Sequence, residues 1–351
     1  MHPDNPIDPS PDDDGLSQSG LGAQNARESD SIDPVNQYEV TSYAPMIATV
    51  PTVEKPRWWT SILIVVISLV VFVFASAVMS IVGVVVVHGR FDMALLTDTN
   101  SFVAVSESRI GLFLLVVLPQ IALVVPSFVA GHCSRVETRK RLSLVRGHWP
   151  IWAWIGAALA TPLVGLLSSV LVGSFMEESE NLKALTDIFR AHGQSGFLFP
   201  LMLMIGLTPA ICEEVLFRGY VQTRLTRSLG PVGGILIASL LFAVFHLDFV
   251  HIIAVFPLGF YLGLVVWRSG SLIPAMIGHF INNSISVAAV VLAPTGNTNT
   301  LDAPSAIFSL SIIIFGIIGS LSAAFAWVRC GPPPTGKPII AAAQQSDSPF
   351  A

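Results

Sequence analysis

"SILIVVISLVVFVFASAVMSIVGVVVV" occupies residues 61–87 and decides the fold class, because this long apolar run contains no charged residue. A helix needs about 20 mostly apolar residues to cross the hydrocarbon core of a bilayer. Over all 351 residues, 52% are hydrophobic, only 12% are charged, and the mean hydropathy is +0.70. Since soluble globular domains carry about twice that charge fraction, the sequence predicts an integral membrane protein.

Seven further apolar runs predict an all-α, polytopic membrane helix bundle of about eight transmembrane helices. The fifth and sixth runs are short and are joined by "HLDFVH", so we expect one of them to be tilted, broken or partly re-entrant. The predicted spans are 61–87, 110–131, 151–175, 197–217, 232–246, 250–267, 271–292 and 305–328.

The distribution of basic residues predicts the orientation of the bundle. Every second loop is basic, whereas the alternate loops, such as "MEESENLKALTD", are acidic or neutral. Because cytoplasmic loops carry the excess of Lys and Arg, both termini are expected to be cytoplasmic in a multi-pass protein of the cell membrane. The basic residues are Lys55 and Arg57, then Arg135, Arg139, Lys140, Arg141 and Arg146, then Arg224 and Arg227, then Arg268, and finally Arg329.

The stretch "TPAICEEVLFRGY", Thr208–Tyr220, places charged side chains inside the fourth apolar run. A carboxylate at membrane depth is costly and marks a functional site by default. Glu214 and Arg218 are four residues apart, so they can pair on one helix face. Glu213 is rotated by about 100° from Glu214 and is left to face another element. Pro209, just before the glutamates, is expected to kink the helix where water must enter.

Two other runs carry polar residues at a similar depth. His246 follows Phe242 by four positions, and Asn283 follows His279 by four positions, so each pair shares a helix face. We interpret Phe242 as a packing residue of the pocket wall, and Asn282 as an interhelical packing residue. The sequence therefore predicts one polar cluster within the bilayer, drawn from three helices.

Such a cluster allows two kinds of water activation. A glutamate beside a histidine can take a proton from water, while a second histidine and an asparagine donate to a developing oxyanion. Alternatively, Glu213, His246 and His279 make the kind of His₂Glu set that holds catalytic zinc. Both schemes predict peptide hydrolysis within a membrane, with no certain cofactor in the first and a divalent metal such as zinc in the second.

The same residues resemble a known family. "EEVLFR", "FAVFH" and "HFINN" are similar to the EExxxR, FxxxH and HxxxN motifs of the CPBP family. That family, also called Abi, comprises type II CAAX prenyl endopeptidases and bacteriocin-processing or self-immunity proteins. The resemblance covers about residues 197–292, and no motif residue departs from the pattern.

The resemblance implies a role for each motif residue. Glu213 would be the general base that activates water, helped by His246. Glu214 would be its partner in the motif, held by Arg218. His279 and Asn283 would line the oxyanion side, or His279 would be a metal ligand; these six residues are the expected catalytic set: Glu213, Glu214, Arg218, His246, His279 and Asn283.

The resulting functional hypothesis is an intramembrane endopeptidase that acts on a peptide or membrane-protein substrate, lipidated in the CAAX branch of the family. The alternatives are a non-catalytic bacteriocin self-immunity or scaffold protein, and a proton-coupled transporter, although no internal repeat of the transporter kind is visible. No phosphate-binding loop or basic-aromatic patch suggests a nucleic acid, so the expected partners are the substrate and the lipid bilayer. Cys133, Cys212 and Cys330 show no CxxC spacing, which indicates neither a disulfide framework nor a zinc ribbon.

The organisation along the chain follows from these segments. Residues 176–195 have apolar positions at near-helical spacing, which predicts an amphipathic helix on the outer membrane face or an ordinary exposed loop helix. The predicted domains are a disordered acidic N-terminal tail (1–57), N-terminal transmembrane helices with the outer amphipathic loop (58–195), a CPBP/Abi-type catalytic core (196–292), a C-terminal transmembrane helix (293–330) and a disordered tail (331–351).

Overall fold

The computed structural model of the chain describes residues 56–134, 136–293 and 303–331. Within these ranges the chain forms helices and no β-strand, which confirms the all-α prediction. The α-helices are α1 (Trp59–His88), α2 (Met93–Thr97), α3 (Thr99–Glu107), α4 (Arg109–His132), α5 (Thr138–Arg141), α6 (Ile151–Gly173), α7 (Glu180–His192), α8 (Leu198–Met202), α9 (Thr208–Glu213), α10 (Thr223–Val244), α11 (Phe249–Ser269), α12 (Ile273–Leu292) and α13 (Ala303–Arg329). Three π-helical segments join them at Gly193–Phe197, Leu203–Leu207 and Glu214–Gln222.

Seven helices in the described part of the chain are long and apolar enough to cross a membrane. The sequence predicted about eight spans, and the fourth and fifth of these lie within one continuous helical run, Glu180–Val244. The run changes direction at Gly230, whose backbone angles of φ 82° and ψ 167° are not helical. Glycine tolerates such angles, and Pro231 disfavours a helical conformation at the residue before it. The two predicted spans are therefore distinct apolar segments of one helical run.

The outermost helices expose apolar side chains, as a membrane bundle requires. On α1, Val70 is 62% and Phe74 is 70% exposed, and a helix that is apolar on all sides without being covered by protein is typical of a membrane span. Helix α1 packs against α4, α6 packs against α12 and α13, and α11 packs against α10 and α6. This arrangement encloses the segment Glu214–Gln222, in which every residue is buried.

The helical run that carries the two glutamates is irregular next to the predicted proline. The π-helical segment Leu203–Leu207 ends directly before α9, and Pro209 lies in the first turn of that helix. Proline is tolerated there, because its missing N–H group has no partner at a helix start. A second π-helical segment begins at Glu214, and such segments occur frequently at functional sites. The predicted kink at Pro209 stays a prediction, since the backbone angles of Leu207 and Thr208 are helical.

The predicted amphipathic segment forms α7, in which the hydroxyl of Ser179 accepts a hydrogen bond from the Leu182 N–H group at 3.2 Å and caps the helix. Its position on the outer membrane face remains a prediction, as do the cytoplasmic location of both termini and the domain boundaries. Of the two predicted tails, residues 1–55 and 332–351 lie outside the described residues.

The basic loop after α4 packs onto the helix that carries the glutamates. Leu142 is fully buried, and a Cβ atom at Gly219 would lie 3.0 Å from its carbonyl oxygen. Burial, together with the positive charges of Arg224 and Arg227, lowers the pKa of Arg141 to about 10. Arginines from two separate stretches therefore lie near one another at this end of the bundle, as the charge pattern along the sequence predicted.

Candidate active site

Glu214 and Arg218 form an ion pair inside the bundle, as their spacing predicted. Arg218 Nη1 donates to Glu214 Oε1 at 2.8 Å, and both side chains are 0% exposed. Arg218 also donates through Nη2 to the carbonyl of Gly259 on α11 at 3.1 Å. Its guanidinium carbon lies 4.0 Å from the centre of the Phe242 ring. A buried charge has to be paired and hydrogen-bonded in this way to be tolerated, so the pair joins three stretches of chain.

His279 on α12 lies between the two glutamates. Its Nδ1 atom is 3.0 Å from Glu214 Oε1, and its Nε2 atom is 3.9 Å from Glu213 Oε2. An ionised carboxylate can only accept a hydrogen bond, so we assign the proton on the Nδ1 atom as the donor to Glu214. This leaves Nε2 directed towards Glu213. These distances confirm the prediction that the "EEVLFR" and "HFINN" segments lie next to each other.

Glu213 ends α9 and is only 8% exposed. Its Oε1 atom accepts a hydrogen bond from Gln120 Nε2 on α4 at 3.0 Å. Its Oε2 atom faces His279 at 3.9 Å, which exceeds the length of a direct hydrogen bond. The two carboxyl oxygens of Glu213 therefore have different surroundings, one bonded to an amide and one facing an imidazole.

His246, just after the end of α10, is connected to this cluster through Phe242. Its Nδ1 atom donates to the Phe242 carbonyl oxygen at 3.1 Å, because a carbonyl can only accept. The Phe242 ring contacts both imidazoles edge-on, with centroids 5.1 Å from His246 and 5.9 Å from His279. None of the contacts among the described residues joins His246 to Glu213 directly. Phe242 is buried and contacts both histidines, which agrees with its predicted role as a packing residue.

Asn283 lies one helical turn beyond His279 on α12. Its Nδ2 atom donates to the carbonyl oxygen of Ile205, within the π-helical segment Leu203–Leu207, at 3.2 Å. Its Oδ1 atom accepts from Asn282 Nδ2 at 3.2 Å. An amide nitrogen carries two N–H groups, so Asn283 retains one donor besides the bond to Ile205. The predicted packing role of Asn282 agrees with its burial.

Gln120 is the site residue that the sequence reasoning missed. It lies on α4, far from the three motifs in sequence, yet it contacts the predicted base directly. A signal was present, since Gln120 is the only amide side chain in the apolar run "IGLFLLVVLPQIALVVPSFVAG". A polar amide in a membrane helix forms hydrogen bonds with other helices, although the run itself does not indicate which helix provides the partner.

The predicted metal set is not assembled as a metal site. The described residues contain no group of three or more His, Cys, Asp or Glu side chains that could hold a metal ion. In particular, no hydrogen bond, ion pair or ring contact among the described residues joins His246 to Glu213 or His279, and its ring contacts Phe242 and His251. Glu213, His246 and His279 therefore do not fit a three-ligand zinc site in this conformation.

Two comparisons with known proteins bear on the family. Residues 195–285 match the family model described as "Type II CAAX prenyl endopeptidase Rce1-like". A Bacillus subtilis (strain 168) protein named "Putative membrane peptidase YdiL" is 26% identical over 150 residues, which are 42% of this chain. The matched region spans 58% of the length of that curated relative. No solved structure matches the chain.

The matched segment contains all three motifs and every one of the six predicted catalytic residues. Its helices belong to a bundle that has seven candidate membrane-spanning helices in the described part of the chain, as expected for a membrane peptidase family. Residues 195–285 of this multi-pass membrane protein are therefore similar to type II CAAX prenyl endopeptidases, the resemblance that the motifs predicted.

Proposed function

We propose that this protein is an intramembrane endopeptidase that hydrolyses a peptide bond near or within the membrane. The observation that carries the proposal is the environment of Glu213, a nearly buried carboxylate with one oxygen bonded to Gln120 and the other facing His279 at 3.9 Å. A water molecule can bridge polar atoms separated by such a distance. Glu213 is then within reach of the proton of that water, as a general base requires.

The proposed reaction begins with attack by this water on the substrate carbonyl carbon. Glu213 takes one proton from the water as the new carbon–oxygen bond forms. The same proton then passes to the leaving amide nitrogen as the carbon–nitrogen bond breaks, so that a carboxylic acid and an amine are released. His246, whose Nε2 atom is not engaged by the bond to Phe242, assists Glu213 in this proton transfer.

The negative charge that develops on the carbonyl oxygen requires hydrogen-bond donors in place before the reaction. In its protonated form, His279 donates from Nδ1 to Glu214 and from Nε2 into the space in front of Glu213. The second N–H group of Asn283, one helical turn away, is the other donor. Arg218 keeps Glu214 in place through its 2.8 Å ion pair, so that Glu214 orients the imidazole of His279.

The substrate is proposed to be a peptide or membrane protein, because the site lies in helices that are long and apolar enough to span the bilayer. The matched family model describes prenyl endopeptidases, which supports a peptide carrying a lipid group as the first substrate to be tested. An apolar group on the substrate would partition into the bilayer and raise the local concentration of the adjoining peptide bond.

A matched pair of variants tests the proposal. Glu213→Gln keeps the shape of the side chain and removes its basicity, whereas Glu178→Gln makes the same change at an exposed residue before α7. Comparative membrane proteomics of cells with wild type, Glu213→Gln or Glu178→Gln should reveal peptides that are cut by wild type and Glu178→Gln only. Those peptides are then assayed with purified protein.

We expect Glu213→Gln to abolish cleavage and to retain the unfolding temperature of the wild type. Full cleavage by purified Glu213→Gln would exclude the proposed base. A cellular phenotype that persists in the Glu213→Gln strain without any cleavage difference would instead favour the non-catalytic immunity or scaffold alternative.

A further inference from the structure

Gln120 enters the site from outside the family-matched segment. It lies on α4, whereas the match covers residues 195–285. Helix α4 packs against α9, which ends at Glu213, and also against the π-helical segment that follows. The amide of Gln120 therefore reaches the predicted base across a helix–helix contact that none of the three motifs contains.

The contacts of Gln120 are specific to Glu213. Its Nε2 atom donates to Glu213 Oε1 at 3.0 Å, and this is the only hydrogen bond of the side chain among the described residues. The Oε1 atom of Gln120 is buried and has no protein partner.

The geometry also distinguishes the two oxygens of the base. Because Oε1 of Glu213 is held by the amide, Oε2 is the oxygen that faces His279 Nε2. Without the donor, the carboxyl group could rotate about its last torsion, which is broad for glutamate. Misplacing a reacting group by about 1 Å is enough to slow a reaction by about 100-fold.

We propose that Gln120 is a positioning residue of the hydrolytic site. Its hydrogen bond fixes the carboxyl plane of Glu213 so that Oε2 points towards the attacking water. The proposal rests on the proposed function, since it assigns Gln120 a role through the general base. Gln120 acts on Glu213 and does not contact the substrate. Its loss should therefore lower kcat and leave KM unchanged.

The test compares two buried glutamines that each donate one hydrogen bond. Gln120→Met keeps an unbranched side chain of similar length and removes the donor, and Gln120→Asn retains the amide on a shorter stem. The matched control is Gln222→Met, because Gln222 Nε2 donates to the Gly263 carbonyl oxygen at 2.9 Å and its Oε1 atom is also buried without a partner. The peptides found with Glu213→Gln serve as substrates for the purified variants.

We expect Gln120→Met to lower kcat by about 100-fold with KM within about twofold of wild type. Gln120→Asn should recover part of that loss, whereas Gln222→Met should keep kcat within about threefold. The unfolding temperatures of the two methionine variants should be similar, which would show that the difference in kcat does not come from stability. A kcat for Gln120→Met within about threefold of wild type, or a loss matched by Gln222→Met, would overturn the inference.

A second readout separates this inference from the proposed function. Dicyclohexylcarbodiimide, an apolar reagent, modifies buried carboxyl groups, and mass spectrometry reports the labelling rate at Glu213. Faster labelling in Gln120→Met than in both wild type and Gln222→Met supports the contact even if Glu213→Gln still cleaves, in which case the peptidase proposal alone fails. Labelling at the wild-type rate, with Glu213→Gln inactive, would count against Gln120 alone.

Discussion

Glu214 Oε1 accepts a hydrogen bond from His279 Nδ1 at 3.0 Å, between residues that are 65 positions apart in sequence. This contact fixes one ring nitrogen of His279 as the donor to Glu214 and directs the other nitrogen towards Glu213. The adjacent glutamates thus have different environments, because Glu214 is paired with Arg218 and His279 whereas Glu213 is held by Gln120. From this difference we expect Glu213 to act as the general base and Glu214 to hold His279 in position.

The two neighbouring histidines, His246 and His251, provide a controlled comparison, because their rings are in contact with centroids 4.7 Å apart. We expect His246→Ala to lower kcat by about 100-fold, the scale of positioned acid–base catalysis. His251→Ala removes a ring of the same size and should change kcat by less than about threefold. The measurement is the turnover of the peptides that wild type cuts and Glu213→Gln does not. Equal losses in the two variants would mean that His246 acts through packing and not through proton transfer.

The buried ion pair makes Arg218 a stability residue. Arg218→Met leaves the carboxylate of Glu214 without its cation, and removing one partner of a buried pair costs about 3–5 kcal/mol. Arg218→Lys should recover little, because one ammonium group cannot reproduce both the bond to Glu214 and the bond to the Gly259 carbonyl.

The control for Arg218 is Arg90→Met, because Arg90 pairs with Asp92 at 3.6 Å and the Arg90 side chain is 68% exposed. Exposed pairs contribute about 0–1 kcal/mol, so this variant should unfold at nearly the wild-type temperature. Thermal unfolding in detergent is the measurement. An Arg218→Met protein as stable as Arg90→Met would show that Glu214 does not depend on the ion pair.

The close approach of α11 to the site depends on Gly259. A Cβ atom at this position would lie 2.8 Å from Phe242 Cδ1 and 3.3 Å from Arg218 Nη2. Gly259→Ala should therefore destabilise the protein by about 1–3 kcal/mol through overpacking. It should also lower kcat, because it displaces the phenyl ring that contacts both His246 and His279.

Gly173→Ala tests the same chemical change where no atom lies within 4 Å of the added Cβ. Alanine stabilises a helix relative to glycine by roughly 0.5–1 kcal/mol, so this variant should be at least as stable as wild type. Chemical unfolding and turnover are measured for both variants. If Gly259→Ala behaves like Gly173→Ala, the contact between α11 and Phe242 is looser than the structure indicates.

Asp248, the N-cap of α11, should make the stability of the protein depend on pH. Hydrogen bonds from the Ser179 hydroxyl at 2.5 Å and from the His251 N–H group at 2.9 Å lower the pKa of its carboxyl group. A carboxyl group whose pKa is lower in the folded state contributes stability above its unfolded pKa of about 3.9. That contribution disappears as the pH falls through the folded pKa.

Asp248→Asn is the matched variant, because asparagine caps a helix about as well as aspartate but does not titrate. We expect the wild type to be more stable than the variant at pH 7, and the difference to be smaller at pH 3. Unfolding temperatures measured at both pH values provide the comparison. A difference that stays constant between them would show that Asp248 stabilises the helix by capping alone.

Local sequence was sufficient for contacts between residues on one helical turn. The pairing of Glu214 with Arg218 and the contact of Phe242 with His246 both join residues four positions apart, and both are present. This succeeded because helical periodicity places such residues on one face. The same reasoning gave the apolar spans, since the cost of exposing the backbone in lipid allows only helices or closed barrels there.

Contacts between helices that are distant in sequence were harder to predict. The glutamates meet His279, as predicted, whereas His246 has no hydrogen bond or ion pair to Glu213 among the described residues and is connected to the site through its ring contact with Phe242. The π-helical segment that begins at Glu214 changes the rotation of residues along the helix, so angles taken from a regular α-helix do not hold across it.

The sequence by itself determined that this chain is a membrane helix bundle and that Glu214 pairs with Arg218 inside it, because apolar length and four-residue spacing are local properties. Only the tertiary structure decided that Gln120 holds Glu213 and that Ile205 occupies one donor of Asn283. Those contacts depend on how α4, α9 and α12 are rotated and packed against one another. That packing results from the whole set of side chains and cannot be read from any single segment.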